Sequence, residues 1–527
     1  MKTFLGIELG STRIKAVLID QKGLPLSSGG FDWENRFENG VWTYHLDDVW
    51  HGLQKTIEDL NSNYQKQYKS SVPQISGMGI SAMMHGYLVF DKSDNQLAEF
   101  RTWRNTITEK SSNYLTKLFN YNIPQRWSIA HLHHAIINRE SHINEISFLT
   151  TLSGFIHYKL TGKKVQGICE ASGMLPVDSN TNDYYSDMID KFEEFAAGEN
   201  ISWKLRDILP KVLCAGEDAG ELTEEGAKLL DPSGTVLKAG IPLCPPEGDA
   251  GTGMVATNAI KPSTGNISAG TSIFAMLVLE KALKKLHTDI DMLSTPSGNT
   301  VAMAHCNNCT SDLDAWVNLF GTAMTKMGMA VDKTKLYHTL YEAALKADPD
   351  GGGLVSINYL SGEHLSGFQE GRPLFVRSPD SRFTIENFMR SLLFSSMATL
   401  RLGLDILTKD EGVTVTKLLG HGGLFKTPIV GQSLMASVLD IPIAVMESAG
   451  EGGAWGIALL AAYTICRSEN QSHTDSLQSF LDNVIFKDSN INTIEPNPED
   501  VKGFETYLER YKSALHIERA AVENLKL

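Results

Sequence analysis

The chain carries one short device twice, around Gly10 and again around Gly270. Residues 6–20 read GIELGSTRIKAVLID and residues 266–280 read NISAGTSIFAMLVLE. Each is an apolar run, a Gly-Ser-Thr or Gly-Thr-Ser turn, and a second run of strand-like composition. Ile7 and Leu9 alternate into the first turn, and Ile14, Ala16 and Leu18 alternate out of it. Ile267 and Ala269 lead into the second, with Phe274, Met276 and Val278 after it. Period-two alternation on both sides of a tight polar turn predicts a β-hairpin. Such a turn aims several backbone N–H groups and hydroxyls at one spot, a geometry that holds anions. Two of them, heading two halves of one chain, predict a duplicated architecture with a polyphosphate between its lobes.

The rest of the composition narrows the class. At 527 residues the chain exceeds one ordinary core, and two to four domains are expected. Hydrophobic residues at 42% and charged residues at 21% describe a globular protein rather than a disordered one. A formal charge of −15 argues against nucleic acid or an anionic membrane as the main partner. It leaves room for a small anion held by local backbone dipoles. Near the start, the apolar run Phe4–Ile7 is cut by Glu8, unlike a signal peptide. The apolar stretch Ala454–Ile465 is about half of the ~20 residues a membrane span needs. A cytoplasmic protein is expected. Six cysteines in this length do not make a disulfide scaffold. His305, Cys306 and Cys309 form a CxxC with an adjacent histidine, but no second ligand pair accompanies it, so packing thiols are the expectation.

Strands alternate with helices in both halves, which predicts α/β lobes. In the first half Asp47–Leu60 is helical, with Val49, Leu53, Ile57 and Leu60 on one face. Gln74–Ser81 returns as a strand ending in Met84-His85-Gly86, and Gly240–Leu243 is a short strand feeding Glu247-Gly248-Asp249-Ala250-Gly251. The second half predicts strands at Val301–Ala304, Leu354–Tyr359, Lys417–Leu419 and Ile443–Met446. It predicts helices from about Ser311 and over Ile385–Leu407, Pro428–Leu439 and Ala454–Ile465. Phe504, Leu508, Tyr511 and Leu515 fall at helical spacing, so the tail is expected to dock on the body. The expected domains are 1–252, 253–470 and a helical extension over 471–527.

Neither a GxxxxGK[ST] loop nor a GxGxxG opening a helix occurs. What remains is the two hydroxyl-rich turns, the Gly420-His421-Gly422-Gly423 cluster, and Asp249 between Gly248 and a helix start. Together, and in this order, they resemble the FGGY carbohydrate kinases of the actin-like, ribonuclease H-like ATPase superfamily. The resemblance covers residue 4 to about 466. It implies an α/β fold of two ribonuclease H-like lobes with an interlobe active-site cleft, and an ATP- and Mg²⁺-dependent phosphotransferase acting on a small sugar or polyol. GIELGST resembles the first phosphate loop and NISAGTS the second, which makes Gly10, Ser11, Thr12, Gly270, Thr271 and Ser272 nucleotide-binding residues. Gly422 and Gly423, with Glu447 and Gly450–Gly456 after them, resemble the adenosine region. Glu247–Gly251 resembles the segment with the catalytic carboxylate.

Phosphoryl transfer is mainly positioning and charge neutralisation, with a carboxylate accepting the acceptor hydroxyl's proton. Asp249 is the expected base; without the resemblance a helix N-cap would be its plainer role. Glu8 stands where the family usually has Asp, and with Asp249 it is the expected Mg²⁺ ligand. Met84 and His85 match a pair found in xylulokinase-like members, so both are expected at the sugar. Trp103-Arg104-Asn105 resembles the family's Trp-x-Asp segment; Trp103 and Arg104 are expected at the substrate, with Asn105 in place of the Asp. Glu170–Gly173 and Tyr359–Glu363 match further family segments, the latter with His364 where an Arg is usual. The favoured acceptor is a pentulose such as xylulose. Ribulose, gluconate or erythritol, a sugar-indifferent ATPase switch and a weakened regulatory kinase are the rival readings, and homodimer formation is left open.

Overall fold

The structure, a computed structural model, describes residues 2–446, 452–489 and 491–526. The chain groups into two compact units. One holds Met1–Ile260, Asp291–Val301 and Ser448–Ser489, and the other Lys261–Ile290, Ala302–Glu447 and Asn490–Leu527.

In the first unit, strands β1 (Thr3–Leu9), β2 (Arg13–Asp20), β3 (Pro25–Asp32), β4 (Ile75–Ala82) and β5 (Glu247–Gly248) form one sheet in the order β3-β2-β1-β4-β5. The first expected hairpin is present: β1 and β2 are antiparallel, with Leu9 opposite Ile14. β4 runs parallel to β1, and β5 parallel to β4. Leu5, Ile7 and Leu9 share a core with Val49, Leu53, Ile57 and Leu60 of the helix Leu46–Tyr68, the face that their spacing predicts. The alternate residues of β1 and β4 face the helix Gly452–Ser468. There the side chains nearly vanish. A Cβ on Gly6 would stand 2.0 Å from the Ala454 carbonyl oxygen, and one on Gly79 would meet Ile457 at 2.6 Å. These strands are therefore buried on both faces, as parallel strands usually are.

The second unit repeats the plan. Strands β6 (Thr264–Ala269), β7 (Ile273–Val278), β8 (Thr300–Cys306), β9 (Lys417–His421), β10 (Ile443–Met446) and β11 (Ile491–Ile494) take the order β8-β7-β6-β9-β10-β11. β6 and β7 are the second expected hairpin, with Ala269 opposite Ile273. β9 runs parallel to β6, and β10 parallel to β9. In each unit a hairpin is thus continued by two parallel strands on the side of its first strand. The helix Ile385–Asp405 continues as a π turn to Asp410. Among the described residues this segment alone is long and apolar enough to cross a membrane, and 78% of its most apolar window is buried in the protein. The tail forms the helix Pro498–Asn524, with Phe504 edge-on to Phe394 at 5.0 Å.

The expected strand at Gly240–Leu243 is reduced to two isolated bridges, Leu243 with Met78 and Pro242 with Glu221. Pro242 sits in it, lacks the N–H that a ladder needs, and contributes only its carbonyl to Met78. The strand expected over Leu354–Tyr359 is limited to Val355–Ile357.

Several histidines of the first unit are buried as neutral rings. His157 is fully buried, donates from Nε2 to the Ala219 carbonyl at 2.9 Å, and leaves Nδ1 without a hydrogen-bond partner. Burial lowers its pKa from 6.5 to about 4. The folded state resists a proton that the unfolded chain accepts, so the stability is present above pH 6.5 and lost as pH falls toward 4. At the acid end the loss reaches about 3 kcal/mol for this group. His157→Gln keeps a donor for Ala219 and removes the titration. Urea melts at pH 7.5 and pH 5 should show a smaller acid loss in the variant; an equal loss would refute this account.

Candidate active site

The register of three parallel strands assembles the first part of the site. Glu8 lies opposite Ser81, and Ser81 opposite Glu247; one step on, Leu9, Ala82 and Gly248 are level. The chain then leaves the sheet at the carboxyl ends of β1, β4 and β5, where ligands of open α/β sheets bind. The segments that emerge are the Gly10 turn, Met84-His85-Gly86 and Asp249.

Asp249 opens the helix Asp249–Ala256, with Gly248 in the N-cap position. Its carboxylate also reaches back to the loop after β4: Oδ1 accepts the backbone N–H of Met84 at 3.2 Å. The residue is solvent-exposed by surface area although protein atoms crowd around it. That crowding raises its pKa, and the N–H groups of Met84 and Ala250 oppose the rise. The open face leaves the carboxylate reachable from solvent.

Glu8 is half-buried, and its Oε2 accepts the Ala454 N–H at 3.2 Å, in the first turn of the helix Gly452–Ser468. Burial, then the nearby Asp249 charge, pushes Glu8 up to about 7. A Cβ on Gly453 would lie 2.3 Å from Glu8 Oε1 and 2.7 Å from Thr252 Oγ1, so this close seat requires glycine. Thr252 also meets Ser81, with 3.2 Å between hydroxyls. Two carboxylates that repel each other are a donor set a divalent cation fits, since it relieves their repulsion and prefers oxygen ligands.

His85 is buried at a φ of 73°, and Gly86 follows at 114°. Its N–H donates to Glu170 Oε1 at 3.1 Å, and its ring lies over Trp127 with centroids 6.4 Å apart. Nδ1 is 3.2 Å from the Gly173 carbonyl, which only accepts, so Nδ1 carries the proton and Nε2 is the acceptor nitrogen. Burial, then the Arg126 charge, holds the His85 pKa well below 6.5 and the ring neutral. Arg126 itself pairs with Asp291. Glu170 is buried, and burial raises its pKa well above its ordinary value. Glu247 accepts the N–H groups of Glu170 and Cys169 at 3.0 and 3.4 Å, and burial pushes it up to about 8.

The first turn is held from behind. Trp33 Nε1 donates to the Gly10 carbonyl at 2.7 Å, and the Tyr44 hydroxyl donates to the Ser11 carbonyl at 2.6 Å. Trp33 and Tyr44 stack with centroids 4.2 Å apart. Trp103 is exposed and donates from Nε1 to Ser11 Oγ at 3.2 Å, which places it at the turn. Thr12 is exposed. Arg104 lies 3.8 Å over the Trp42 ring. Asn105 is buried; its amide both accepts from the Trp42 N–H and donates to the Trp42 carbonyl, each at 2.8 Å. An ionised Asp cannot donate, which explains asparagine here.

In the second unit, Ser268 lies opposite His421, which brings the Gly270 turn level with Gly422. Gly422 has a φ of 101°, and a Cβ there would stand 2.5 Å from the Ala269 carbonyl oxygen. Gly270 N–H donates to the Ser272 carbonyl at 2.9 Å. Thr271, Gly422 and Gly423 are exposed. Glu447 and residues 450–451 lie outside the described residues. Cys306 and Cys309 are free, buried thiols whose pKa values burial raises.

Residues 3–255 match the N-terminal domain of the FGGY family of carbohydrate kinases, and residues 265–465 match its C-terminal domain. The chain belongs to the FGGY family. A xylulose kinase from Haemophilus influenzae is 22% identical to this FGGY chain, over 97% of the chain and 99% of that protein. Among solved structures, a ligand-bound xylulose kinase from Lactobacillus acidophilus matches with a TM-score of 0.78 at 16% identity, covering 99% of both chains. A gluconate kinase from the same organism matches with a TM-score of 0.78 at 17% identity, covering 98% of both. The fold is accordingly the two-lobe, actin-like ATPase fold of FGGY kinases, and the protein is a carbohydrate kinase, a phosphotransferase with an alcohol acceptor.

The sequence pattern does not assign Ser81, Thr252, Trp33 or Tyr44 to the site, and it puts Gly453 with the adenosine region, whereas the structure seats Gly453 against Glu8 and Thr252. Thr252 alone left a signal, one helical turn after Asp249. Glu170→Gln keeps an acceptor for the His85 N–H in a neutral side chain, and should leave stability within about 1 kcal/mol of wild type. Glu170→Ala leaves that N–H unpaired and should cost about 2 kcal/mol. Urea unfolding at pH 7.5 reads both; a Gln variant as damaged as the Ala variant would show that Glu170 is an anion.

Proposed function

We propose that this FGGY kinase transfers the γ-phosphoryl group of ATP to a terminal hydroxyl of an open-chain ketose, with a pentulose such as xylulose as the favoured acceptor. The observation that carries this reading is the bond from the Met84 N–H to Asp249, which ties the Met84-His85 turn to the base. A sugar lying on that turn would have one hydroxyl within reach of Asp249. A second hydroxyl would donate to Nε2 of the neutral His85, the ring nitrogen left as acceptor. Trp103 beside the Gly10 turn would offer a flat apolar face to the sugar carbons.

In the reaction, Asp249 takes the proton of the acceptor hydroxyl as its oxygen bonds to phosphorus and the bond from phosphorus to the β-phosphate oxygen breaks. The phosphates would rest on the N–H groups and hydroxyls of Gly270, Thr271 and Ser272, with Gly10, Ser11 and Thr12 serving the first turn, and the adenosine on Gly422 and Gly423. Glu8 and Asp249 would hold Mg²⁺, which when bound neutralises phosphate charge. The same reading puts the enzyme in the cytoplasm, with its nucleotide substrate. Similarity to a gluconate kinase as strong as to a xylulose kinase means that the fold does not choose the acceptor.

ADP release with Mg-ATP across ketoses, polyols and sugar acids tests the proposal. One strongly active acceptor is expected, and Asp249→Ala should lower kcat for it by at least ~10³-fold. Hydrolysis equal in every well, untouched by Asp249→Ala, would sink the kinase mechanism; preference for a sugar acid would move the acceptor class. Glu8→Asp should shift the Mg²⁺ concentration for half-maximal rate while sugar KM stays within ~2-fold. A shift in sugar KM alone would remove Glu8 from the metal site.

A further inference from the structure

Among the described residues, no aromatic side chain donates to the carbonyls of the Gly270–Ser272 turn as Trp33 and Tyr44 do to those of Gly10 and Ser11. The support of this second turn is a loop. Cys309 N–H donates to the Thr271 carbonyl at 2.9 Å, and the Thr310 N–H and hydroxyl both donate to the Gly270 carbonyl, at 3.1 and 2.9 Å. Residues 307–310 therefore fix where the N–H groups and hydroxyls of this turn point. What fixes 307–310 lies one layer further back. The buried Glu363 carboxylate accepts at Oε2 from the Asn307 N–H at 2.8 Å, the Asn308 N–H at 3.3 Å and Asn308 Nδ2 at 3.2 Å. The Asn308 side chain returns the grip: its Oδ1 accepts the N–H groups of Leu360 and Ser361, each at 3.0 Å. Asn358 Nδ2 closes the lattice on the Cys309 carbonyl at 3.0 Å.

We infer that Glu363, through Asn307 and Asn308, is a positioning residue for the second phosphate turn, setting nucleotide affinity without touching the nucleotide. The inference rests on the reading that this turn binds ATP phosphates. Its chemistry is that of a shared acceptor. Three donors from two adjacent residues converge on one carboxylate oxygen, which locks both peptide planes at once. Loss of that oxygen takes the acceptor from the Asn307 and Asn308 N–H groups and leaves the Asn308 amide only its longer 3.4 Å contacts to the Ser361 and Gly362 carbonyls, so the loop is free to turn outward toward water. A shift of the loop carries the Gly270 and Thr271 carbonyls with it, and the N–H groups that meet phosphate move with them. This gives the His305–Cys309 segment a use that needs neither metal nor thiol chemistry: its backbone is the strut, and Cys306 and Cys309 are its buried filling.

The test compares the full-length wild type with Glu363→Ala, Glu363→Gln and Thr271→Ala, titrating each with Mg-ADP by calorimetry and measuring KM for ATP and for the best acceptor. Glu363→Ala should weaken Mg-ADP at least tenfold and raise the KM for ATP similarly, with acceptor KM within ~2-fold. Glu363→Gln retains the acceptor oxygen and should return Mg-ADP affinity to within ~3-fold of wild type. A merely structural role predicts that Ala loses both substrates together, or that Gln fails as Ala does; either result overturns the inference. Wild-type nucleotide affinity in a folded Glu363→Ala overturns it as well, while Thr271→Ala weakened in the same experiment keeps the phosphate reading intact. Wild-type affinity in Thr271→Ala removes that reading and the inference with it. Should Glu363→Ala not fold, Asn308→Asp sets a second carboxylate against Glu363 and must show the same loss confined to nucleotide.

Discussion

The contact between the backbone of β1 and β4 and the helix Gly452–Ser468 is the constraint from which the first unit's site follows. At Gly6 the strand and the helix approach so closely that any side chain would enter the Ala454 carbonyl. Gly77 and Gly79 extend the same bare strip along β4, against Ile465 and Ile457. Because side chains alternate along a strand, the next residues on this strip are Glu8 and Ser81. They arrive where the helix begins, so that one of its unpaired N–H groups meets Glu8 and Thr252 meets Ser81. Close packing of backbone on backbone thus delivers a carboxylate and two hydroxyls to one end of the sheet. A one-residue slip in either strand would turn those groups into the core under Leu46–Tyr68.

Electrostatics then divides the acids of this region by environment. Glu170 and Glu247 are enclosed and tied to backbone N–H groups, and burial drives both toward the protonated form. They act as struts for the His85 turn and for the segment that carries Gly173. Asp249 keeps an open face and Glu8 a partial one, which leaves both carboxyls reachable by a cation or a proton. Carboxyls of similar sequence appearance do different work because of where water reaches them. His85 follows the same logic with opposite sign: burial keeps it uncharged, and the Gly173 carbonyl chooses its tautomer.

How much of this was legible in the sequence depended on whether a residue speaks through a local pattern. The two hairpins were readable because alternation and turn chemistry are local, and Asp249 because it stands at a glycine-flanked helix start. The helix faces of Leu46–Tyr68 and of the tail were readable from their spacing. The supports of the first turn were not. Trp33 and Tyr44 reach Gly10 and Ser11 from segments whose pairing is set by sheet order, which no short window encodes. The glycines of β1 and β4 looked like weak strand residues until the helix against them was visible, and that helix comes from the far end of the chain. Gly240–Leu243 shows the reverse: its apolar run has strand-like composition, but Pro242 lacks the donor that a ladder needs there.

Departures from the family pattern gain a physical account from the same geometry. Asn105 uses a donor and an acceptor at once on the Trp42 backbone, and an ionised aspartate would forfeit the donor half. Holding Trp42 there also seats Arg104 on its ring, 3.8 Å away, so the guanidinium is spread over an aromatic face. The exchange therefore orders the strand edge beside Trp103 while withdrawing one negative charge from it. On the proposed reading, a sugar there would meet fewer anionic partners and more aromatic surface on that side. On the same reading, the loops around Met84, Trp103 and Glu170 would set the acceptor, while the sheet ends would supply the part of the chemistry that is indifferent to which sugar is bound.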